Sequence, residues 1–148
     1  MSKGIAIRRF RWSDIERIEE IEKASFGKDA YDRNLFAEFF DKCRNLFLVA
    51  VRGSVICGYM ITCVRGDRAE VVSIAVEPAK RGRGTASALM DSKLRRLRRR
   101  KVARVALMVK VSNAPARAFY MKYGFHKTRL IRKYYEDGAD GVLMARTV

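Results

Sequence analysis

Residues 71–86 constrain this chain more than any other segment: Val71-Val72-Ser73-Ile74-Ala75-Val76-Glu77-Pro78-Ala79-Lys80-Arg81-Gly82-Arg83-Gly84-Thr85-Ala86. An apolar strand runs into a glycine-bearing loop, and the loop opens a long helical stretch, roughly Thr85 to Arg99. The first amides of a helix have no carbonyl to bond within the helix and sit at the positive end of its dipole. Glycine lets such a backbone approach a phosphate closely, and Arg81 and Arg83 add charge, so the segment reads as an anion cradle. The same residues also fit a plain glycine-assisted turn. A Walker loop is excluded because no Gly-Lys-Ser/Thr follows at the right spacing, and a dinucleotide fingerprint because Gly-x-Gly-x-x-Gly is absent.

The rest of the chain supplies elements around this unit. Ile5, Ile7 and Phe10 predict a first strand, and Ser13-Asp14-Ile15-Glu16 has the form of a capping box before the helical spacing of Ile15, Ile18 and Ile21. Residues 26–31 read as a loop, and Asn34 to Lys42 as a helix with Leu35, Phe36, Phe39 and Phe40 on its apolar face. Leu46 to Val51, Val55 to Val64 and Ala69 to Val76 read as strands joined by short turns, which predicts antiparallel hairpins. After the long helix come a strand at Val102 to Val111, a helix from Asn113-Ala114-Pro115 to about Tyr123, and a hairpin of Phe125 to Tyr135 with Val142 to Thr147. The crossover through the long helix makes strands 69–76 and 102–111 parallel neighbours. The class is α/β, in one domain spanning residues 1–148 with no linker or repeat.

Composition narrows the setting. Of 148 residues, 49% are hydrophobic and 32% charged, a globular balance. No apolar run approaches the roughly 20 residues that span a bilayer, and the start, from Met1 to Arg8, lacks a secretion signal's apolar core, so a cytoplasmic location with no membrane is expected. Cys43, Cys57 and Cys63 contain no Cys-x-x-Cys pair and are expected to be buried free thiols. His126 is the only histidine, so no histidine-rich metal centre is expected. The net charge of +16 attracts polyanions: nucleic acid, a ribosomal surface, an acidic protein or a phosphorylated cofactor.

Here the chain resembles a known family. Arg81-x-x-Gly84-x-Ala86 is similar to the Arg/Gln-x-x-Gly-x-Gly/Ala signature of the GNAT superfamily of N-acetyltransferases, and Ser73-Ile74-Ala75-Val76-Glu77-Pro78 to the strand before it. Val109-Lys110-Val111-Ser112-Asn113 and Ala118-Phe119-Tyr120-x-x-Tyr123-Gly124-Phe125 resemble its later block, and Tyr134-Tyr135-Glu136-Asp137-Gly138-Ala139-Asp140 the closing hairpin of RimI-like and N-terminal amine acetyltransferases. The resemblance implies a GNAT fold, with a mixed, splayed sheet of about seven strands and about four helices. It implies acetyl-CoA as co-substrate and no metal. The pyrophosphate would sit on the amides of Arg81, Gly82, Arg83, Gly84, Thr85 and Ala86, and the pantetheine along Ile74, Ala75 and Val76, with Asn113 helping to hold the cofactor. Tyr120 would protonate the departing thiolate; its plainer reading is a core aromatic beside Phe119 and Tyr123.

The base is where the chain departs from the family. RimI-like enzymes often carry a glutamate one residue before the valine of the Val-Lys/Arg-x-Ser-Asn block, and here that position is Met108, which cannot accept a proton. Glu70 is a substitute at the start of the cofactor strand; it equally reads as an exposed carboxylate pairing with Arg68. Asp29 is a weaker candidate and reads as a turn residue. An α-amine titrates near roughly 7.7–8.0 and a lysine near roughly 10.4, so freeing them at neutral pH costs about 1 and about 4–5 kcal/mol. A weak or water-relayed base therefore favours a protein α-amine, with Phe26, Tyr31, Tyr134 and Tyr135 lining its groove. The alternatives are a lysine ε-amine of a nucleic-acid-associated protein, a small amine, or a degenerate basic nucleic-acid-binding module. The run from Lys93 to Lys101 reads as the solvated face of an amphipathic helix, or as a surface that docks to ribosomal or other nucleic acid near a protein substrate. Aromatic residues are not interleaved with it, which argues against base stacking there.

Overall fold

The computed structural model describes residues 4–148, so the reading of the chain start at residues 1–3 lies outside the described residues. Among the described residues the chain forms β1 (Ile5–Arg9), α1 (Ile15–Phe26), α2 (Arg33–Cys43), β2 (Phe47–Arg52), β3 (Val55–Arg65), β4 (Arg68–Val76), α3 (Thr85–Arg99), β5 (Arg104–Lys110), α4 (Ala114–Lys122), β6 (His126–Ile131) and β7 (Gly141–Thr147). The strands form a seven-stranded sheet in the order β1-β2-β3-β4-β5-β7-β6. This is the mixed α/β class read from the sequence. No described helix is long and apolar enough to cross a membrane. Two compact units divide the chain, residues 1–63 with 73–96 and residues 64–72 with 97–148.

In the first unit β2 pairs antiparallel with both β1 and β3. Ile15, Ile18 and Ile21 turn one face of α1 inward, and Phe36 does the same from α2. With Phe47, Tyr59 and Leu89 these residues form a buried core. The expected Ser13–Glu16 capping box is replaced by a single 3-10 turn over Trp12–Asp14. Asp14 closes this turn: its Oδ2 accepts the Arg11 amide at 2.8 Å, and Arg8 forks the carboxylate at 2.8 and 3.0 Å. Burial opposes the charge on Asp14, but the Arg8 fork and the Arg11 amide outweigh it and hold the carboxyl below its ordinary range. At α2, Asp32 accepts the Leu35 amide at 2.8 Å, an ordinary N-cap.

Two expectations fail in this unit. Cys43 and Cys63 are joined in a disulfide and are not free thiols, because the end of α2 and the far half of β3 bring their Cα atoms within 4.9 Å. Cys57 alone is free and buried, as expected. Lys93 does not belong to a solvated face. It is fully buried on α3 and its ammonium donates to the Leu46 carbonyl, a backbone acceptor that a helical charge pattern cannot reveal. Arg95, Arg98, Arg99, Arg100 and Lys101 are exposed.

In the second unit β4 and β5 run parallel from Arg68–Arg104 to Val71–Leu107, as the crossover requires. Beyond that ladder β4 continues to Val76 and β5 to Lys110. β7 lies antiparallel between β5 and β6. Pro115 sits in the first turn of α4, whose N-cap Asn113 accepts the Ala116 amide at 3.2 Å. The expected strand through Tyr135 stops at Ile131. Residues 132–140 fold back on themselves instead: Lys133 takes a positive φ of 52°, its amide donates to Asp140 at 2.9 Å, and the Tyr135 amide donates to Ala139 at 3.1 Å.

Candidate active site

The anion cradle is built within the first unit. Gly82 and Gly84 both adopt left-handed conformations (φ 78° and 81°), which side chains disfavour and which fold the loop back onto the start of α3. The first bond of α3 runs from the Ala88 amide to the Gly84 carbonyl at 2.9 Å, so the amides of Thr85 and Ala86 have no carbonyl within the helix. Arg81 pins the loop: its Nε donates to the Val76 carbonyl and its Nη2 to Ser25 Oγ, each at 3.2 Å. Arg52 donates to the Arg83 carbonyl at 3.3 Å, so Arg52, Arg81 and Arg83 converge on one short loop. Thr85 is buried, 3.9 Å from Cys57 Sγ. Gly58 of β3 lies under this turn, where an added Cβ would come 3.0 Å from the Ala75 carbonyl oxygen and 3.1 Å from Thr85 Cγ2. Backbone, glycines and arginines thus gather positive charge and helix-start amides in the loop after β4. It suits a diphosphate.

The same unit holds a cluster that the sequence did not announce. Glu22 is buried on α1, accepts from the Tyr59 hydroxyl, and accepts the Tyr31 amide at 2.9 Å. The Tyr59 hydroxyl also lies 3.4 Å from Ser73 Oγ on β4. Burial pushes the Glu22 carboxyl up to about 7, with the Tyr31 amide pulling the other way. Its signal was available: four residues after Ile18, Glu22 falls on the apolar stripe of α1, where a charge needs partners. Tyr31 packs edge-on to Phe36 at 6.0 Å and against Phe39 at 5.5 Å, whereas Phe26 is exposed.

The second unit carries the phenols. Tyr120 is buried on α4, with its ring 5.6 Å from Phe119 and 5.9 Å from Phe125. Burial, and then the neighbouring Tyr135, push its phenol well above the ordinary value, so it stays protonated. Tyr135 is half-buried and raised by burial and Tyr134, partly offset by Lys110, whose ammonium lies 5.2 Å over the Tyr135 ring and bonds Asp137 at 3.0 Å. Tyr134 packs edge-on to Tyr135 at 4.9 Å and is largely exposed. Gly141 brings Met108 and Tyr134 together: an added Cβ would lie 2.9 Å from Met108 Sδ and 3.2 Å from Tyr134 Cβ. The position before Val109 is therefore a thioether that, with the Cβ of Tyr134, crowds Gly141. Glu70 is exposed and pairs in register with Ala106, two residues before Met108 on the same face of β5. Asn113 spends its side-chain oxygen on the α4 cap. Asp29 is exposed in a 3-10 turn, and among the described residues no cluster of three or more His, Cys, Asp or Glu could hold a metal.

The mixed seven-stranded sheet, with β4 crossing through α3 to the parallel β5, is the fold of an acetyltransferase. The chain belongs to the acetyltransferase (GNAT) family, whose model matches residues 12–125. It is 33% identical over 141 residues to an uncharacterized N-acetyltransferase of Methanocaldococcus jannaschii, covering 95% of this chain and 90% of that one. It is 29% identical to an N-alpha-acetyltransferase of Saccharolobus solfataricus, covering 97% and 93%. Its structure is similar to that of the ribosomal-protein-S18-alanine N-acetyltransferase of Escherichia coli, with a TM-score of 0.89 and 28% identity over 97% of this chain and 94% of that chain.

Proposed function

We propose that the protein transfers the acetyl group of acetyl-CoA to the N-terminal α-amine of a protein, with residues 1–148 working as one catalytic domain. The observation that carries this reading is the doubly left-handed Gly82/Gly84 loop, gripped by Arg52 and Arg81, that opens α3 directly after β4. In this reading the cradle amides at 81–86 hold the diphosphate, and the backbone of Ile74, Ala75 and Val76 holds the pantetheine. The amine nitrogen attacks the thioester carbonyl, forming the C–N bond. The oxyanion collapses, the C–S bond breaks, and Tyr120 gives the departing sulfur its proton. The proton lost by the amine leaves through Glu70, directly or by water. A named relative acts as an N-alpha-acetyltransferase and another on the alanine of ribosomal protein S18, which supports an α-amine acceptor. Met108 supports it too, since a site with an apolar residue there suits an amine that is easily deprotonated. Tyr31, Tyr134, Tyr135 and the exposed Phe26 line the acceptor's path, and the exposed arginines of α3 and the turn after it keep the enzyme near ribosomal or other nucleic acid.

Mass spectrometry of a peptide library after incubation with acetyl-CoA tests the acceptor: acetylation at free N-termini is expected, and ε-acetylated lysines beside unmodified N-termini would overturn it. For the base, Glu70→Gln is expected to displace the acidic limb of the pH–rate profile; an unaltered profile removes Glu70 from that role.

A further inference from the structure

A second site lies in the first unit, at the edge strand β1, three strands from β4 in sheet order. A groove of about 400 Å³ runs between β1 and the end of α2, lined by Arg8, Arg9, Arg11, Phe40, Arg44 and Asn45. We propose that single-stranded nucleic acid binds here, stacking a base on Trp12, whose ring lies against the groove residue Phe40, and laying the flanking phosphates in the groove on Arg9, Arg11 and Arg44.

The aromatic part is a fixed platform. Phe10 is buried and stacked on Phe47 with ring centroids 4.0 Å apart, which anchors it in the core. Trp12 and Phe40 each meet Phe10 edge-on, at 6.2 and 5.2 Å, and stack on one another at 6.1 Å with planes 27° apart. Trp12 nevertheless remains 40% exposed. The guanidinium of Arg44 lies 5.3 Å over the Phe40 ring, extending the row of planar groups. An exposed indole held in place by its neighbours, in a row that a guanidinium over Phe40 extends, is what an unpaired base stacks on.

The charges around this platform are not neutralised locally. Arg8 is committed to Asp14, but Arg9 bonds the uncharged Asn45 at 2.6 Å and keeps its full charge toward the groove. Arg11 is exposed, and the Asp41 carboxylate reaches Arg44 only at 3.7 Å with both side chains mostly in solvent. Against Asp14 and Asp41 stand Arg8, Arg9, Arg11 and Arg44, leaving two cations in excess. The carboxylates of an acidic peptide would use the arginines but bring no ring to Trp12, whereas each nucleotide brings both a phosphate and a base; a duplex hides its base faces. The exposed arginines of α3 provide charge without aromatic partners; this groove provides both.

Trp12 is the only tryptophan, so its fluorescence reads the platform directly. Titration with an RNA octamer of adenylates is expected to quench Trp12 saturably. Three arginine–phosphate contacts give a log–log salt slope of roughly −2, or roughly twentyfold weaker binding at 200 mM than at 50 mM salt. The double variant Arg11→Glu/Arg44→Glu should bind the octamer at least about tenfold more weakly, and Trp12→Leu roughly tenfold more weakly by a labelled-RNA assay. Both should keep their thermal midpoint and acetyl-transfer rate. Arg95→Glu/Arg98→Glu/Arg99→Glu on α3 should lower affinity while leaving saturable quenching intact. Absence of quenching, quenching that survives the groove reversal but not the α3 reversal, or equal quenching by polyglutamate would overturn the proposal.

Discussion

Tyr59 donates its hydroxyl to the Glu22 carboxyl inside the first unit, joining β3 to α1 across 37 residues of sequence. The same carboxyl receives the Tyr31 amide, and the same hydroxyl lies beside Ser73, so one buried acid ties together a helix, the loop after it and two strands. Burial raises this carboxyl to about 7. The folded chain therefore binds a proton that the unfolded chain has released once the pH passes the ordinary carboxylate range. The stabilising contribution is complete below about 4.5 and is lost as the pH climbs to about 7. At about 1.4 kcal/mol per tenfold change in the equilibrium constant, the loss amounts to roughly 3 kcal/mol. Glu22→Gln, which keeps the shape and stays neutral, should narrow the difference in thermal midpoint between pH 5 and pH 8 relative to the wild type. An identical pH dependence in the two proteins would place the Glu22 titration elsewhere.

The Cys43–Cys63 bridge closes a loop of 20 residues that runs from the end of α2 through β2 and most of β3. Closing a loop of that length in the unfolded chain is worth about 3 kcal/mol. For a chain of this size that corresponds to a midpoint lowered by roughly 6–12 °C on reduction. Differential scanning calorimetry with and without dithiothreitol measures it, and Cys43→Ser/Cys63→Ser should reproduce the reduced midpoint and no longer respond to reductant. The loss should fall on stability and leave acetyl transfer at 25 °C intact, because neither cysteine lies in the Gly82–Gly84 loop or on α4.

What the sequence disclosed and what it concealed divide along physical lines. The helix from Thr85 to Arg99 is legible to the residue because its start is set by local chemistry, two glycines and the first amides of the helix. The left-handed glycine loop before it is legible for the same reason, being a property of consecutive backbone groups. Lys93 was misread because amphipathic spacing assigns every charge to solvent, while its partner is a backbone carbonyl 47 residues earlier. The cysteine pair was misread because its distance depends on where α2 ends relative to β3, and spacing in sequence carries no such information. The Glu22–Tyr59–Ser73 cluster is legible only in part: the place of Glu22 on the apolar stripe of α1 shows that it needs partners, but only the packing of α1 against the sheet shows that these are Tyr59 and, through it, Ser73. Tyr134 and Tyr135 read as strand because they precede the turn residues 136–141 of a closing hairpin; the Asp140 carboxylate, by capping Lys133, turns the chain first.

Tyr120 is held protonated by burial, so its hydroxyl is available to donate to the proposed leaving sulfur; the thiolate is the weaker base, so the phenol acts by hydrogen-bonding to the sulfur and passing on its proton as the C–S bond breaks. Tyr120→Phe removes the hydroxyl and keeps the ring that packs on Phe119 and Phe125. A general-acid role predicts a fall in kcat of about a hundredfold with the KM for acetyl-CoA nearly unchanged. The alkaline limb of the wild-type profile should not carry a break near the ordinary tyrosine value, since burial moves this phenol out of that range. Steady-state rates across pH for the two proteins test both statements. An unchanged kcat would reduce Tyr120 to a core aromatic.

Gly58 shows how little room separates the strand from the cradle. An added Cβ would meet the Ala75 carbonyl oxygen at 3.0 Å, Thr85 Cγ2 at 3.1 Å and Leu89 Cδ1 at 3.4 Å. The first of these is a strand backbone atom and the second the methyl of a buried β-branched side chain, neither of which moves aside as a flexible side-chain tip does. Gly58→Ala should therefore overpack the core at a cost of about 1–3 kcal/mol. It should also push α3 and β4 apart where the diphosphate and pantetheine are proposed to bind. The expected signature is a lowered thermal midpoint together with a KM for acetyl-CoA raised about tenfold, while the KM for the acceptor peptide changes little. A lowered midpoint with both Michaelis constants unaltered would mean that β3 yields and the cradle does not, which would separate the turn at Thr85 from cofactor binding.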